Sequence, residues 1–519
     1  MNRFTRAIKA FFSSTPTNPE GARSFSGGMQ SRLVNDWVTS ISTADTEIRG
    51  DLKTLRARMR DHERNNVWVR RYLKLLENNV LGHNGVGLQM KIREMTKASG
   101  KWVETYDTRA NAIIETHWAK WTNRKNCCVT RNLSWCDICR ISLRSAARDG
   151  AAMIRFRYPS NNPYLFTLEP LEGDYLDTTY TAQLGNGHQV RLGVEYDAEG
   201  AVFGYHLLQK HPGDVYQGMQ GAATWRELVP ASEIIHLYWP ERFGQSDGFP
   251  HIAAAIVPLR MLEGYAMAEV TAARVSASKM GFLERTENAS PAGYTGEQAD
   301  STGGKYMEVE PGSIEELPYG MTFKSFDPTH PSTTYGEFVK AQLRGISAGL
   351  GVSYNSLAND LENVNYSSIR AGLLEEREEW KSLQAWFIDW MVTPVFEKWL
   401  EMSLTAGVLK DLGPALPATK FDKFNSPEWK PRRWDWVDPL KDLQANVLAV
   451  EKGFKSRRQI VGDYGGDIED TFQDIAADES LAEQYGLDFT VDSGQQANAQ
   501  SSVPDAPADP SNVAPLTGA

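Results

Sequence analysis

The change of hydrophobic period near residue 151 constrains this chain more than any other feature. From Ala151 to Tyr238 the apolar residues come in short β-type runs, AAMIRFRY, YLFTLEP, HQVRLGVEY, VFGYHLL and EIIHLYW, separated by Asp-Gly, Asn-Gly and Pro-Gly turn signals. Runs of this kind pair with their chain neighbours, so the segment reads as an antiparallel β-rich block. On both sides the period is helical. Ile48, Leu52, Leu55, Met59, Val67, Tyr72 and Leu76 keep a spacing of three, four or a turn multiple across 46–79, and the pattern returns from Thr108 to Arg148. Beyond the block, Pro258 opens a helical segment in which Leu259, Leu262, Val270, Ala273, Ala277 and Met280 hold the spacing to about Phe282. Further helices are read over 334–349, from Tyr366 to Pro394, where a proline kinks or ends a helix, and from about Leu440 to Gln484. Segregation of the two periods describes an α+β, mainly helical chain. Its 519 residues exceed one compact core, and three or four modules are expected.

Composition excludes several classes. The first 30 residues are rich in Ser, Gly, Pro and Asn, and residues 492–519 lack bulky apolar side chains, so a flexible arm and a disordered tail are expected. Cys127, Cys128, Cys136 and Cys139 lie within 13 residues and cannot staple distant parts of a secreted chain, which makes a reducing cytoplasm the natural setting. The opening apolar runs are too short for a signal-peptide core, and no stretch of about 18 apolar residues offers a membrane span. A net charge of −11 argues against a protein that wraps duplex. The charge is also polarised: residues 1–74 hold 14 Lys/Arg against 7 Asp/Glu, 284–332 hold 9 acids against 3 bases, and 461–519 hold 12 acids and no base.

Several motifs invite chemistry. Arg56, Arg58, Arg60, Arg64, Arg70 and Arg71 read as a solvated basic face, or more sharply as a contact for acidic partners or nucleic acid. Arg140, Arg144 and Arg148 recur every four residues and form a candidate inter-subunit ion-pair row. Cys136-Asp-Ile-Cys139 has the spacing of a zinc half-site, but it lies in an apparent helix and adjacent Cys127 and Cys128 suit a knuckle poorly, so buried thiols and no metal are expected. Gly345-Ile-Ser347-Ala-Gly349 matches the nucleophile elbow, yet the residues before Ser347 read as helix where the elbow needs a strand. A cytoplasmic hydrolase or DNA-processing enzyme using Ser347 is the alternative reading; packing at a helix end is the expected one. The sequence contains no phosphate loop, HExxH pair, GxGxxG fingerprint or EF-hand loop, and no cofactor or catalytic role is expected.

Four segments carry a resemblance: IIHLYWPERFGQSDGFPHIAAAI (234–256), PGSIEELPYG (311–320), GISAGLGVSYNSLANDLENVNYSSIRAGLLEE (345–376) and WDWVDPLKDLQANVLAVEKGFKSRRQIV (434–461). Together they resemble the lambda-type phage portal family over about residues 31–490. One departure is GQSDG, where a basic residue is expected in place of Ser246 or Asp247. The resemblance implies a portal fold with wing, stem, clip and crown, assembled as a ring of usually twelve copies around a channel for double-stranded DNA. On that analogy residues 31–250 are wing, 251–283 the first stem helix, 284–333 the clip, 334–349 the second stem helix and 350–365 the tunnel loop. Residues 366–412 are then the long helix behind the loop, capped by Asn365 or Ser367, and 413–491 a crown-like helical region.

The tunnel loop so placed carries Tyr354, Asn355, Asn359, Asp360, Glu362 and Asn363 and no Lys or Arg, which suits a surface that lines DNA without gripping it. Arg260, Arg274, Lys279, Lys340 and Arg344 are candidates for weak phosphate contacts or inter-subunit pairing. Glu308, Glu310, Glu315 and Glu316 offer an acidic docking rim on the clip. Implied partners are further copies of the chain, the terminase large subunit, head-completion and connector proteins, major capsid and scaffolding proteins, and weakly held DNA, with no membrane. The implied location is the portal vertex of the virion, after assembly in the bacterial cytoplasm.

Overall fold

The computed structural model describes residues 38–98, 101–214, 225–277, 281–285, 298–299, 305–306, 321–325, 334–362, 366–434, 439–464, 466 and 468–486. The N-terminal arm and the C-terminal tail read from the sequence lie outside these residues.

The first helical run is two helices, α1 (Ala44–Asn65) and α2 (Val67–Val80). Asn66 separates them: its backbone is extended and its side chain accepts from Trp68 N at 3.1 Å and Val69 N at 3.2 Å, an N-cap set inside an unbroken apolar period. After β1 (Gly87–Met90), β2 (Arg93–Ala98) and β3 (Lys101–Tyr106), the second run also divides, into α3 (Thr108–Trp121) and α4 (Trp135–Asp149). Ser134 and Asp137 close a capping box on α4, and Gly150 ends it at φ +89°. A Cβ at Gly150 would lie 2.5 Å from the Phe249 backbone, so conformation and space both require glycine there.

The block that follows is antiparallel throughout. Its strands are β4 (Ala151–Arg157), β5 (Thr167–Glu172), β6 (Ala182–Gln183), β7 (Gln189–Arg191), β8 (Val194–Tyr196), β9 (Val202–Leu208), β10 (Arg226–Pro230) and β11 (Ile234–Tyr238). One sheet has the order β11-β4-β5, with Ile154 opposite both Ile235 and Pro170; the other runs β10-β9-β8-β7-β6. Met153, Leu176, Val194, Leu207, Val229 and Ile234 form the apolar cluster between them. The other face of β4 takes α4, which joins it to the main helical core.

Helix α5 (Ile256–Ala277) stops five residues short of the end read from its period. Phe282 instead lies in β12 (Gly281–Arg285), opposite Lys324 of β15 (Met321–Ser325), with β13 (Gln298–Ala299) and β14 (Lys305–Tyr306) paired in between. The backbone groups of 281–285 are satisfied by a strand some forty residues onward, which a local period cannot reveal. Then come α6 (Tyr335–Gly349), α7 (Tyr354–Ala358) and α8 (Tyr366–Phe387), a π-helical turn at Ile388–Val392, and α9 (Thr393–Thr405). Pro394 therefore does not end the helix. It sits in the first turn of α9, and the wider π turn just before it absorbs the missing N–H and the clash with the preceding carbonyls. β16 (Pro427–Lys430) pairs with β1, and α10 (Pro439–Glu451), α11 (Arg457–Asp463) and α12 (Ile468–Tyr485) complete the described chain.

The main core unites α2, α3, α4, α8, α9 and one face of the three-stranded sheet. Its centre is aromatic. Trp118 stacks on Trp121 with centroids 5.0 Å apart and meets Trp399 and Phe396 edge-on at 5.0 and 5.4 Å.

Candidate functional site

The segment read as a loop is built rather than loose. Gly351, at φ +67°, turns the chain out of α6, and Val352 N donates back to the Ser347 carbonyl at 3.1 Å. Ser353 caps α7 through Ser356 N, and Asn359 ends it in the left-handed conformation at φ 54°. Leu350, Val352 and Leu357 are buried in the main core. Beneath the turn lies Glu376 of α8, only 6% exposed. Its carboxylate accepts from Ser353 N at 3.2 Å, Ser356 Oγ at 2.8 Å and Trp380 Nε1 at 3.1 Å. Arg71 Nε of α2 donates to the Ser356 carbonyl at 3.0 Å. Burial with three donors sets Glu376 apart from the exposed Glu375, Glu378 and Glu379 on the same helix, because a buried carboxylate has to be saturated this way.

The polar tip is paired. Tyr354 Oη donates to Asp360 Oδ2 at 2.7 Å, and Lys340 Nζ lies 3.0 Å from Glu362 Oε2 and 3.5 Å from Asp360 Oδ2. The hydrogen bond from Tyr354, with backbone and Lys340 contributions, holds the Asp360 carboxyl below its ordinary range, and Glu362 and Asp360 raise the Lys340 ammonium. Arg344 lies over the Tyr354 ring, 5.4 Å from its centroid. Two of the five cations proposed for phosphate thus face the loop of their own chain. Arg260 pairs with Glu263 one turn on at 3.3 Å, and Arg274 is exposed on α5. Lys279, Asn363, the Asn365/Ser367 cap and the four clip glutamates, Glu308, Glu310, Glu315 and Glu316, lie outside the described residues or side chains.

Two arginine readings change. Arg58, Arg64 and Arg70 are exposed, as a solvated face requires, but Arg56 is 3% exposed. Arg56 Nη2 meets Asp247 Oδ2 at 3.1 Å and its Nε donates to the Asp149 carbonyl at 2.8 Å. Arg60 bonds Asp149 at 3.0 Å and Asp174 as well. Asp247, fully buried, also accepts from Gly248 N at 2.8 Å and lies 3.0 Å from His236 Nε2. Burial pushes its carboxyl up, but Arg56 and His236 more than reverse this and hold it below the ordinary value. Ser246 bonds Asp45 through backbone and hydroxyl, both at 2.7 Å. The GQSDG turn therefore pins α1 to the β block, a role that its departure from the expected basic pattern concealed. The 140/144/148 row is likewise intrachain: Arg140 donates to the Gly82 and His83 carbonyls, Arg144 to Glu77 at 2.5 Å, and Arg148 to Glu63 at 2.7 Å.

The remaining motifs are absorbed by packing. Ser347 is 2% exposed within α6, and its hydroxyl donates to the Arg344 carbonyl three residues back at 3.0 Å, so the strand-to-helix elbow that nucleophilic use demands is not there. Cys127 donates to the Thr122 and Leu133 carbonyls, and burial pushes its thiol up to about 12. Burial raises Cys136 and Cys139 too. Among the described residues, no helix is long and apolar enough to cross a membrane.

Comparison with known proteins adds to this geometry. The family described as "Phage portal protein, lambda family" matches residues 30–384. A relative from Halomonas phage phiHAP-1, named "Probable portal protein", is 36% identical over 483 residues, covering 92% of this chain and 90% of its own. "Portal protein B" of Escherichia phage lambda is 21% identical over 485 residues, 87% of each chain. A solved chain from the neck of an empty GTA particle is similar over 79% of this chain and 92% of its own, at 16% identity and a TM-score of 0.43.

Proposed function

The chain belongs to the lambda family of phage portal proteins, and on that premise we propose how its parts serve a portal through which DNA is packaged. It is a structural protein and not an enzyme. In our reading, copies of the chain, most simply twelve, close into a ring at one capsid vertex, with α5 and α6 as stem helices and the 350–362 segment facing the channel. The acidic 284–333 region serves as the clip that meets the terminase and, later, the head-completion and connector proteins. Capsid and scaffolding proteins meet the outer wing, and assembly takes place in the bacterial cytoplasm.

The observation that carries the channel assignment is the polar tip of the loop. It presents Asp360, Glu362 and Asn359 with no base of its own, while Glu376, Arg71 and the Leu357 anchor hold it in place. A surface past which a polyanion slides has to be firm and must not bind phosphate strongly, because each phosphate paired with a cation adds to affinity. Electron micrographs of the purified full chain test the assembly. Rings with a central hole are expected, and rotational averaging gives their symmetry; monomers and small dimers alone under assembly conditions would overturn it.

A further inference from the structure

A cavity of about 770 Å³ lies between the 125–131 segment and the 157–169 hairpin connection and shares no residue with the loop site. Its two walls are tied together. Val129 N donates to the Leu168 carbonyl at 3.0 Å, Asn162 Nδ2 to the Asn126 carbonyl at 2.8 Å, and Trp121 Nε1 to the Phe166 carbonyl at 3.1 Å. Cys128 forms an isolated parallel bridge with Leu168, which extends the edge of the three-stranded sheet into the cavity wall. Arg131 and Leu165 hold left-handed backbone at φ 57° and 52°, a conformation that non-glycine residues keep only where the surroundings impose it. The cavity is therefore formed in advance of any ligand.

Its chemistry is one-sided. Arg157 is neutralised by Glu169 at 2.7 Å, but Lys125 and Arg131 are exposed and meet no carboxylate among the described residues. That leaves two unspent positive charges on one concavity of a chain whose net charge is −11. Thr167, 5% exposed, lines the same cavity with a hydroxyl that has no hydrogen-bond partner. Val129 and Tyr158, 46% and 42% exposed, add apolar surface beside the cations. A rigid duplex about 20 Å across cannot enter such a pocket, whereas an extended peptide can lay a carboxylate between two cations and an aliphatic side chain against Val129 and Tyr158. We infer that this cavity docks an acidic, partly apolar peptide segment of a partner protein, held by Lys125 and Arg131 with Thr167 at its floor.

Fluorescence anisotropy of the full chain with a labelled eight-residue peptide of alternating Glu and Leu tests this, with Lys in place of Glu as the control peptide. Saturable binding of the acidic peptide is expected. Lys125→Glu with Arg131→Glu should weaken it at least about tenfold, the Gln pair less, and Thr167→Val about threefold. Lys452→Glu, exposed in the turn after α10, should change nothing. Unaltered circular dichroism shows that these rim variants fold. Equal binding of the Lys peptide, no binding at all, or indifference to the double substitution overturns the inference. So does loss of DNA binding in the double variant without any acidic-peptide binding, which makes the patch a phosphate surface. Binding to the single chain but not to the assembled ring also overturns it, since copies of the chain would then cover the cavity.

Discussion

Replacing Asp247 by Asn removes one charge and almost no volume from the joint between α1 and the β block, and hydrogen exchange should report the loss as roughly a hundredfold faster opening. Asp247 is 0% exposed and Arg56 3%, and their atoms meet at 3.1 Å. Removing one partner of such a pair strands the other, at about 3–5 kcal/mol. Arg56 keeps the Asp149 carbonyl at 2.8 Å and a distant Asp174 at 3.8 Å, so the lower end, about 3 kcal/mol, applies. At 1.4 kcal/mol per decade this is about 150-fold in the opening equilibrium. Exchange followed by mass spectrometry on peptides covering 44–65 and 245–249 at pH 7 measures it, with Asp61→Asn as the control: Asp61 is exposed, lies 3.8 Å from Arg64 and accepts from Asn65 Nδ2 at 2.7 Å, a bond the Asn oxygen can still accept. A change below about fivefold, or one no larger than the control, refutes the argument. The sign with pH follows from the depressed carboxyl of Asp247. Its contribution is complete above the ordinary carboxylate range and is lost as pH falls through the folded value, below about pH 4. Wild type should therefore loosen in acid at this joint, and the Asn variant, already loosened, should respond less.

Three further outcomes are expected. Asp360→Lys combined with Glu362→Lys should leave rings intact in electron micrographs but lower the amount of DNA packaged and ejected several-fold; unaltered packaging and ejection would remove the loop from the proposed constriction. Gly150→Ala should lower the unfolding free energy read from chemical denaturation by more than about 1–2 kcal/mol, because φ +89° is strained for alanine and its Cβ would sit 2.5 Å from Phe249. In native protein at neutral pH, iodoacetamide should label half-buried Cys136 first and leave Cys127, whose buried thiol is pushed up to about 12, unmodified until unfolding.

The period change at Ala151 was legible because alternation and turn residues are local signals, and each run from AAMIRFRY to EIIHLYW supplies strand to the observed sheets, although HQVRLGVEY is a hairpin of two strands that turns at Leu192 and Gly193. Boundaries were less legible where a single polar residue outweighs a continuous apolar pattern. Asn66 could have been found: an Asn two and three residues before the backbone donors it caps is a recognisable start signal. The end of α5 could not, since the partner of Gly281–Arg285 is remote in sequence. Burial of Glu376 was hidden for the same reason, because its donors Ser353 and Ser356 come from another helix turn.

Charge was legible as a count and illegible as a partnership. Arg56 and Arg58 stand two apart on one helix, yet one is buried against Asp247 and the other is exposed, and nothing short of the fold separates them. The same holds at the loop. Read alone, 350–362 is acidic and would repel a polyanion; in the folded chain Lys340 sits against both of its acids. In the proposed channel, DNA then meets a nearly balanced group in which phosphate and the two carboxylates compete for one ammonium. Lys340→Ala should therefore make the loop a stronger barrier, shifting passage in the same direction as added repulsion rather than relieving a grip. If DNA instead passes more freely in that variant, Lys340 holds phosphate directly and the loop acids are bystanders.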